Sequence, residues 1–463
     1  MNDIDQYIDK IVENQQNFFF SGATQSHSFR IEQIIKLEHA IRKYEEDILA
    51  ALKQDLHKNE VEAYLTELGL VYQTIAKVKK RLARWMKPKR VRTPLAFQIS
   101  KSYIVNDPYG VTCIIGPFNY PFQLLIEPLI GAIIGGNTAI IKPSETAVAT
   151  GQVIKKLIHE TFDEDYIAVV EGGKETVTAL IHAPFDYVFF TGSVPVGKII
   201  AKACAERLTP HTLELGGKSP AIVDDTANLE VAAQRIAFGK FTNAGQTCVA
   251  PDYVLVHQSV HQAFVKQLKQ TIQQFYGDTP QESSDYGRII TKDSTQRLAD
   301  LIEQEREHVI FGGQVDMDKC YISPTLVDKV DWSHPAMQDE LFGPILPIIV
   351  YSDLQLLINE MKQLPKPLAA YLFSQNKQTI DFFTNHLSFG GGCINDTMLH
   401  VGNANLPFGG VGTSGRGAYH GYASFKTFTH QKSMMKRSTT FNPNIIFPPY
   451  TDFKHKILKL FLS

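Results

Sequence analysis

Through the first ninety positions, apolar residues recur at helical spacing, at Ile31, Ile34, Ile35 and Leu37 and again at Ile48, Leu49 and Leu52, with charges filling the intervals. That periodicity predicts an amphipathic helical lead-in. From Ser102 the pattern changes to short apolar runs closed by turn residues. They are V-T-C-I-I-G-P from Val111, T-A-I-I-K-P from Thr138, Y-I-A-V-V-E from Tyr166, D-Y-V-F-F-T-G from Asp186 and S-P-A-I-V-D-D from Ser219. Helical segments separate them, which is the alternation of an open parallel α/β sheet. A second alternating set starts with Y-V-L-V-H at Tyr253, passes through a helix from Val260 to Phe275, and continues with I-L-P-I-I-V at Ile345 and A-A-Y-L-F-S at Ala369. A second α/β unit is therefore expected to begin near Gly216.

A chain of 463 residues exceeds what one core usually serves, which agrees with two or three domains and leaves room for a buried site. A net charge of -2 gives no global attraction to nucleic acid. The nine basic residues between Lys77 and Arg92 read as a solvated helix end, because Pro88 and Pro94 interrupt the run and no aromatic platform is interleaved. The five cysteines lie far apart, without a C-x-x-C pair or a histidine at ligand spacing, so neither a metal site nor a disulfide framework is indicated. The N-terminus has no secretory pattern, and the apolar stretch from Pro128 to Ile141 is interrupted at Asn137 and too short to span a bilayer. A cytoplasmic location is the expectation.

Candidate chemistry then stands out. F-T-N-A-G-Q-T-C-V-A-P-D-Y, from Phe241, sets Cys248 behind small and polar residues. Gly245 would let the backbone approach a ligand, and Gln246 and Thr247 would bring polar groups beside the sulfur. A nucleophilic thiolate needs an exposed, electropositive niche of that kind, whereas a structural cysteine is a small buried hydrophobe. Upstream, L-E-L-G-G-K places Glu214 between two leucines, where an apolar wall raises a carboxyl pKa.

Two glycine patterns compete for a nucleotide. Gly410, Gly412 and Gly415 fit G-x-G-x-x-G, but N-A-N-L-P-F stands where a strand is required, so they read as turn glycines. T-G-S-V-P-V-G-K, Thr191 to Lys198, does follow a strand and opens a helix through Ile199, Ala203 and Leu208, with Ser193 placed to cap it and Pro195 in its first turn. Exposed N–H groups there favour a phosphate or pyrophosphate. The same residues admit a P-loop nucleotidase, with Gly192, Gly197 and Lys198 at Walker A spacing and Asp224 and Asp225 downstream. Ile199, however, stands where that motif needs a hydroxyl for magnesium.

Together with P-F-N-Y-P at Pro117, I-K-P-S-E at Ile141 and E-L-F-G-P at Glu340, these motifs run in order from Tyr109 to His430 and resemble those of NAD(P)-dependent aldehyde dehydrogenases. G-Q-T-C-V-A-P-D-Y, L-P-F-G-G-V-G-T-S-G from Leu406, Y-H-G at Tyr419 and a short N-terminal arm are similar to the class 3 branch, with Arg416 departing where methionine is expected. The resemblance implies an open parallel-sheet dinucleotide-binding domain (1–88 and 109–215), an α/β catalytic domain (216–413), a bridging or oligomerisation element (89–108 and 414–440) and a tail (441–463). It implies Cys248 as nucleophile, Asn119 with the backbone N–H of Cys248 as oxyanion donors, and Glu214 as general base. It carries Lys142 and Glu145 to the adenosine ribose, Gly192 and Ser193 to the pyrophosphate, and Glu340 with Phe342 to the nicotinamide ribose. Gly197, Leu215 and Gly216 complete the cofactor set. Glu145 favours NAD by repelling a 2′-phosphate, with NADP also admitted, and no metal is implied.

Tyr120, Thr247, Val401 and Phe408 match positions near the substrate tunnel and suggest an apolar aldehyde, aliphatic or aromatic, with long-chain or terpenoid aldehydes in a biosynthetic step as an alternative. A homodimer is expected. A non-catalytic dinucleotide-binding protein is disfavoured by the joint presence of Cys248, Glu214 and Asn119. In the tail, Phe453, Ile457, Leu460 and Phe461 fall on one helical face with lysines elsewhere, which suits docking on the protein or weak peripheral membrane contact through 453–463.

Overall fold

A computed structural model describes residues 3–97, 100–440, 442 and 444–462. The lead-in forms the helices Asp3–Phe20, His27–Lys43, Glu45–Leu56 and Gly69–Trp85, with the basic run emerging as the last of these ends. Ile34, Leu37, Ile48 and Leu52 are buried as their spacing predicts, but Ile35 lies off that stripe and is 37% exposed.

The first sheet has six strands in the order 415–416, 211–214, 187–191, 111–115, 138–142 and 167–169. Every pair is parallel except Gly415–Arg416 against Leu213–Glu214. The bridging element expected from 414 thus begins with a pair that instead extends this sheet, since Gly415 and Arg416 satisfy the free edge of the 211–214 strand. Strand Val111–Ile115 has Thr138–Lys142 on one side and Tyr187–Thr191 on the other. Chain order reverses across it, and the crevice beyond its carboxyl end is where parallel α/β sheets bind ligands. The apolar stretch from Pro128 becomes the end of the fully buried helix Gln123–Gly135 and the strand Thr138–Lys142.

A second sheet runs 309–311, 325–328, 345–351, 253–257, 220–223, 369–373 and 391–394, parallel except at its first pair. Near-continuous apolar strands such as Val254, Leu255 and Val256 are buried because helices cover both faces. A third, antiparallel sheet joins Lys89–Val91, Ser100–Pro108 and Thr429–Arg437. The tail forms the helix Asp452–Leu462 against the turn Leu95–Phe97. Phe453 and Leu460 on its apolar face remain 70% and 78% exposed, while the side chain of Phe461 lies outside the described residues. No helix among the described residues is long and apolar enough to cross a membrane.

Candidate active site

A cleft of about 450 Å³ opens at the carboxyl ends of the first sheet and is closed by residues from the chain beyond it, between Gln246 and Tyr419. Its walls include Asn119, Lys142, Glu145, Gly192, Ser193, Glu214, Leu215, Gly216, Cys248, Glu340, Phe342 and Phe408. Lys142 and Glu214 end parallel strands, so their side chains emerge where the sheet stops and turn residues begin. Asn119 follows Val111–Ile115 on the loop across the switch point.

Cys248 arrives by a sharp turn. After the helix Leu229–Phe241 the chain takes positive φ at Asn243 (53°), Ala244 (50°) and Gly245 (77°). A Cβ at Gly245 would lie 2.3 Å from the Gly343 carbonyl oxygen, so what approaches this glycine is another stretch of backbone and not a ligand. Gln246 is likewise structural: its amide donates to the carbonyls of Asn243 (3.0 Å) and Arg288 (2.9 Å) and its oxygen accepts from the Ile290 N–H (3.0 Å). Thr247 shares a 2.5 Å hydroxyl–hydroxyl contact with Tyr120, both of them buried outside the cleft wall.

The electropositive niche expected around the sulfur is absent. Enclosure pushes the Cys248 thiol up to about 12, and the Glu340 and Glu214 carboxyls add to that rise. Burial raises Glu214 well above the ordinary carboxyl range. Both its carboxyl oxygens are buried without a hydrogen-bond partner, an arrangement that calls for a ligand. Burial, with Asp252 adding, moves Glu340 to about 8. The Asn119 carboxamide donates one hydrogen to the Gln246 carbonyl (2.9 Å), leaving its second for another acceptor.

At the other end of the cleft Lys142 is buried and pairs with the half-exposed Glu145. Ser193 occupies the N-cap of the helix Val194–Arg207, but its hydroxyl makes no capping bond, contrary to the capping expected of it. An uncapped helix start at a switch point, with Gly192 behind it and a lysine–glutamate pair beside it, fits the phosphates and ribose of a dinucleotide. Gly197 does not reach the cleft: a Cβ there would meet Leu215 Cδ2 at 2.6 Å, so it brings helix and strand together. Val401 also lies elsewhere, on a smaller cavity with Glu127 and His420.

Sequence reasoning missed Arg297, whose guanidinium donates to the Leu341 carbonyl at 2.6 Å in the cleft wall, and Tyr419 as a wall residue. It also missed Lys218 and Asp252, an ion pair at 2.6 Å whose carboxylate accepts from the Leu341 N–H beside Glu340. No local motif marks Arg297, which sits on an ordinary amphipathic helix, Lys292–Gln304. Lys218 and Asp252 fall inside the quoted motifs and were legible as their polar ends. The five cysteines are free, and the described residues hold no group of three or more His, Cys, Asp or Glu able to take a metal ion. In the G-x-G-x-x-G match, Gly412 opens a 3₁₀ turn, Gly412–Ser414, with Gly410 before it and Gly415 after it.

Comparison with known proteins now bears on this geometry. A model of the aldehyde dehydrogenase family matches residues 3–434. The chain is 54% identical over 446 residues to the 4,4'-diaponeurosporen-aldehyde dehydrogenase of Staphylococcus aureus (strain NCTC 8325 / PS 47), covering 96% of this chain and 97% of that one. It is 42% identical over 430 residues to the dimeric NADP-preferring aldehyde dehydrogenase of Canis lupus familiaris, covering 93% and 94%. A solved structure of the substrate-bound state of Staphylococcus aureus AldH superimposes with a TM-score of 0.97 at 53% identity over the whole of both chains. These findings overturn the nucleotidase alternative, in agreement with Lys198 being exposed and outside the cleft wall. With the match running from the first helix into the last strand, the chain belongs to the aldehyde dehydrogenase family, whose members oxidise aldehydes with NAD or NADP.

Proposed function

We propose that this enzyme oxidises an apolar long-chain or terpenoid aldehyde to its carboxylic acid, with Cys248 as nucleophile, Asn119 as oxyanion donor and Glu214 as general base. The observation that carries this reading is the convergence of those three side chains in one cleft whose far end bears Lys142, Glu145, Gly192 and Ser193. When bound, the oxidised nicotinamide accepts the hydride and brings a positive charge to the cleft. The Cys248 thiol, held protonated at neutral pH by its surroundings, loses its proton to solvent before attack. The sulfur then adds to the carbonyl carbon, and the second hydrogen of the Asn119 carboxamide meets the oxygen as it becomes an anion. Hydride departure from the same carbon restores the carbonyl as a thioester on Cys248. Glu214, in its ionised form, takes a proton from water as that water attacks the thioester and passes it to the departing sulfur, releasing the acid and returning the thiol.

The choice of an apolar substrate draws on the Staphylococcus aureus relative, named for 4,4'-diaponeurosporen-aldehyde, and on the aromatic Phe408 and Tyr419 in the cleft wall. Glu145 favours NAD, because a 2′-phosphate beside its carboxylate is repelled. The sheets support a dinucleotide-binding domain over 1–88 and 109–215, a catalytic domain over 216–413 and a bridging element over 89–108 and 414–440, save for Gly415 and Arg416. The long edge strand 429–437 of the antiparallel sheet suits pairing with a second copy, and a homodimer in the cytoplasm is the assembly we infer, with weak membrane contact through the exposed Phe453 and Leu460. Light scattering that finds only monomer removes the dimer, and liposome flotation unchanged by deleting 453–463 removes the membrane contact.

The primary test follows absorbance of the reduced nicotinamide with NAD or NADP and a panel of short, aromatic and long-chain aldehydes, for the enzyme and its Cys248→Ala variant. Reduced cofactor formed with long-chain aldehydes and abolished in the variant supports the reading. Turnover that survives Cys248→Ala defeats the covalent route.

A further inference from the structure

Behind the oxyanion loop lies an ion pair for which the steps above have no use. Lys58 is 1% exposed and Glu67 0% exposed, and they face each other far from solvent. An ion pair so deeply buried is a poor source of stability compared with apolar residues of the same volume, so its retention points to another role. All the hydrogen-bonding capacity used by the pair goes to one short segment. Lys58 Nζ donates to the Asn119 carbonyl at 2.9 Å and lies 4.0 Å from the centre of the Tyr120 ring. Glu67 Oε2 accepts the N–H groups of Phe122 (3.0 Å) and Gln123 (3.2 Å), where the next helix begins. The pair therefore holds residues 119–123 at both ends. Asn243, one turn before Cys248, adds its own amide to the Asn119 carbonyl at 2.8 Å.

The second observation is in the backbone that carries Glu67. Between the helices Glu60–Ala63 and Gly69–Trp85 the chain widens into a π-helical turn, Tyr64–Leu68. Such turns are uncommon and cluster at functional sites, because the added residue rotates a side chain to a face that regular spacing would not give it. Here the residue so carried is Glu67.

We propose that Lys58 and Glu67 are positioning residues for the oxyanion donor: by fixing the backbone of residues 119–123 they aim the free hydrogen of the Asn119 carboxamide at the carbonyl oxygen of an aldehyde on Cys248. This rests on the role assigned above to Asn119. The pair touches neither substrate nor cofactor and acts only through that loop.

A double-mutant cycle tests it. Lys58→Met/Glu67→Met removes both charges together and so leaves none buried alone. It is compared with the parent, with Asn119→Ala and with the combined variant for kcat, for KM of NAD and aldehyde, and for thermal midpoint. The expected result is a fall in kcat of about tenfold or more with KM for NAD unchanged, and no further fall when the pair is removed from Asn119→Ala, itself slowed about a hundredfold or more. A structural role alone would move the midpoint and lower activity by the same factor in both backgrounds. That outcome overturns the proposal, as does a kcat within twofold of the parent. Asn119→Ala at parental rate would overturn the oxyanion assignment itself, which separates the two failures. Where that doubly substituted protein does not fold, Lys58→Met/Glu67→Gln, which also leaves no charge buried alone and keeps the size and shape of the acidic side chain, enters the same cycle with the same reading of its outcomes.

Discussion

Glu127 lies within the fully buried helix Gln123–Gly135 and is itself 2% exposed. The Thr74 hydroxyl donates to Oε1 at 2.9 Å, while Oε2 has no partner. Burial pushes this carboxyl from 4.5 to about 8, against the smaller pull of Thr74 and Lys77. Between those values the folded protein keeps a proton that the unfolded chain has released, so stability is fully present below about 4.5 and falls as pH rises through about 8. The span 8 − 4.5 is 3.5 units, and at about 1.4 kcal/mol per unit it comes to about 5 kcal/mol. Glu127→Gln removes the ionisation and keeps an oxygen for Thr74. The variant should match the parent near pH 4, gain about 1.4 kcal/mol on it for each unit above pH 5, and hold a constant lead beyond pH 8. Urea unfolding read by Trp85, at the end of the helix that also carries Thr74, measures this at pH 5, 6, 7 and 8, with Trp332→Phe in both proteins to remove the other indole. A difference that stays constant from pH 5 to pH 8 would refute the reasoning, because a lost contact or altered packing has no such slope.

Three further outcomes follow from the cleft. Glu214→Gln should lower kcat by about 10²–10⁴-fold while keeping a rapid burst of about one reduced cofactor per subunit, since water attack fails and hydride transfer does not; stopped-flow absorbance without a burst would move Glu214 to an earlier step. Glu145→Gln should improve the ratio of kcat/KM for NADP over NAD about fivefold, the equivalent of roughly 1 kcal/mol for a half-exposed charge, and an unchanged ratio would place the 2′ position elsewhere. Iodoacetamide labelling of the Cys248 peptide, followed by mass spectrometry, should be slow at pH 7 without cofactor, climb through pH 10 as the thiol held up to about 12 begins to ionise, and speed up at pH 7 when NAD is added; fast labelling of the free enzyme at pH 7 would mean the thiol is not held protonated.

The strands were legible because a strand covered on both faces must be apolar along its whole length, and Val111–Ile115 or Val254–Val256 can be read as runs without knowledge of their neighbours. Cleft-wall residues at the ends of those runs, such as Lys142, Gly192 and Glu214, were legible for the same reason, since a run that stops at a polar or turn residue marks where a parallel sheet opens its crevice. What depends on the partner across space was not legible. Gly197 and Gly245 look alike in sequence to a ligand-facing glycine, but Leu215 and the Gly343 backbone decide their use. Ile35 looks like core until the facing helices leave it outside.

The deepest mismatch concerns charge. Small and polar neighbours in sequence suggested an electropositive setting for Cys248, whereas the fold partly buries it in the cleft wall and sets Glu214 and Glu340 near it. Local sequence records which groups are adjacent along the chain, and a pKa depends on the solvent and charges that the fold removes or supplies. With burial driving the thiol and both carboxyls toward their protonated forms, the surroundings of Cys248 disfavour the thiolate, and a positive charge brought into the cleft would favour it. On the proposed assignment of Gly192 and Ser193 to the dinucleotide, its oxidised nicotinamide would bring that charge, which is why labelling of Cys248 at pH 7 should speed up when NAD is added.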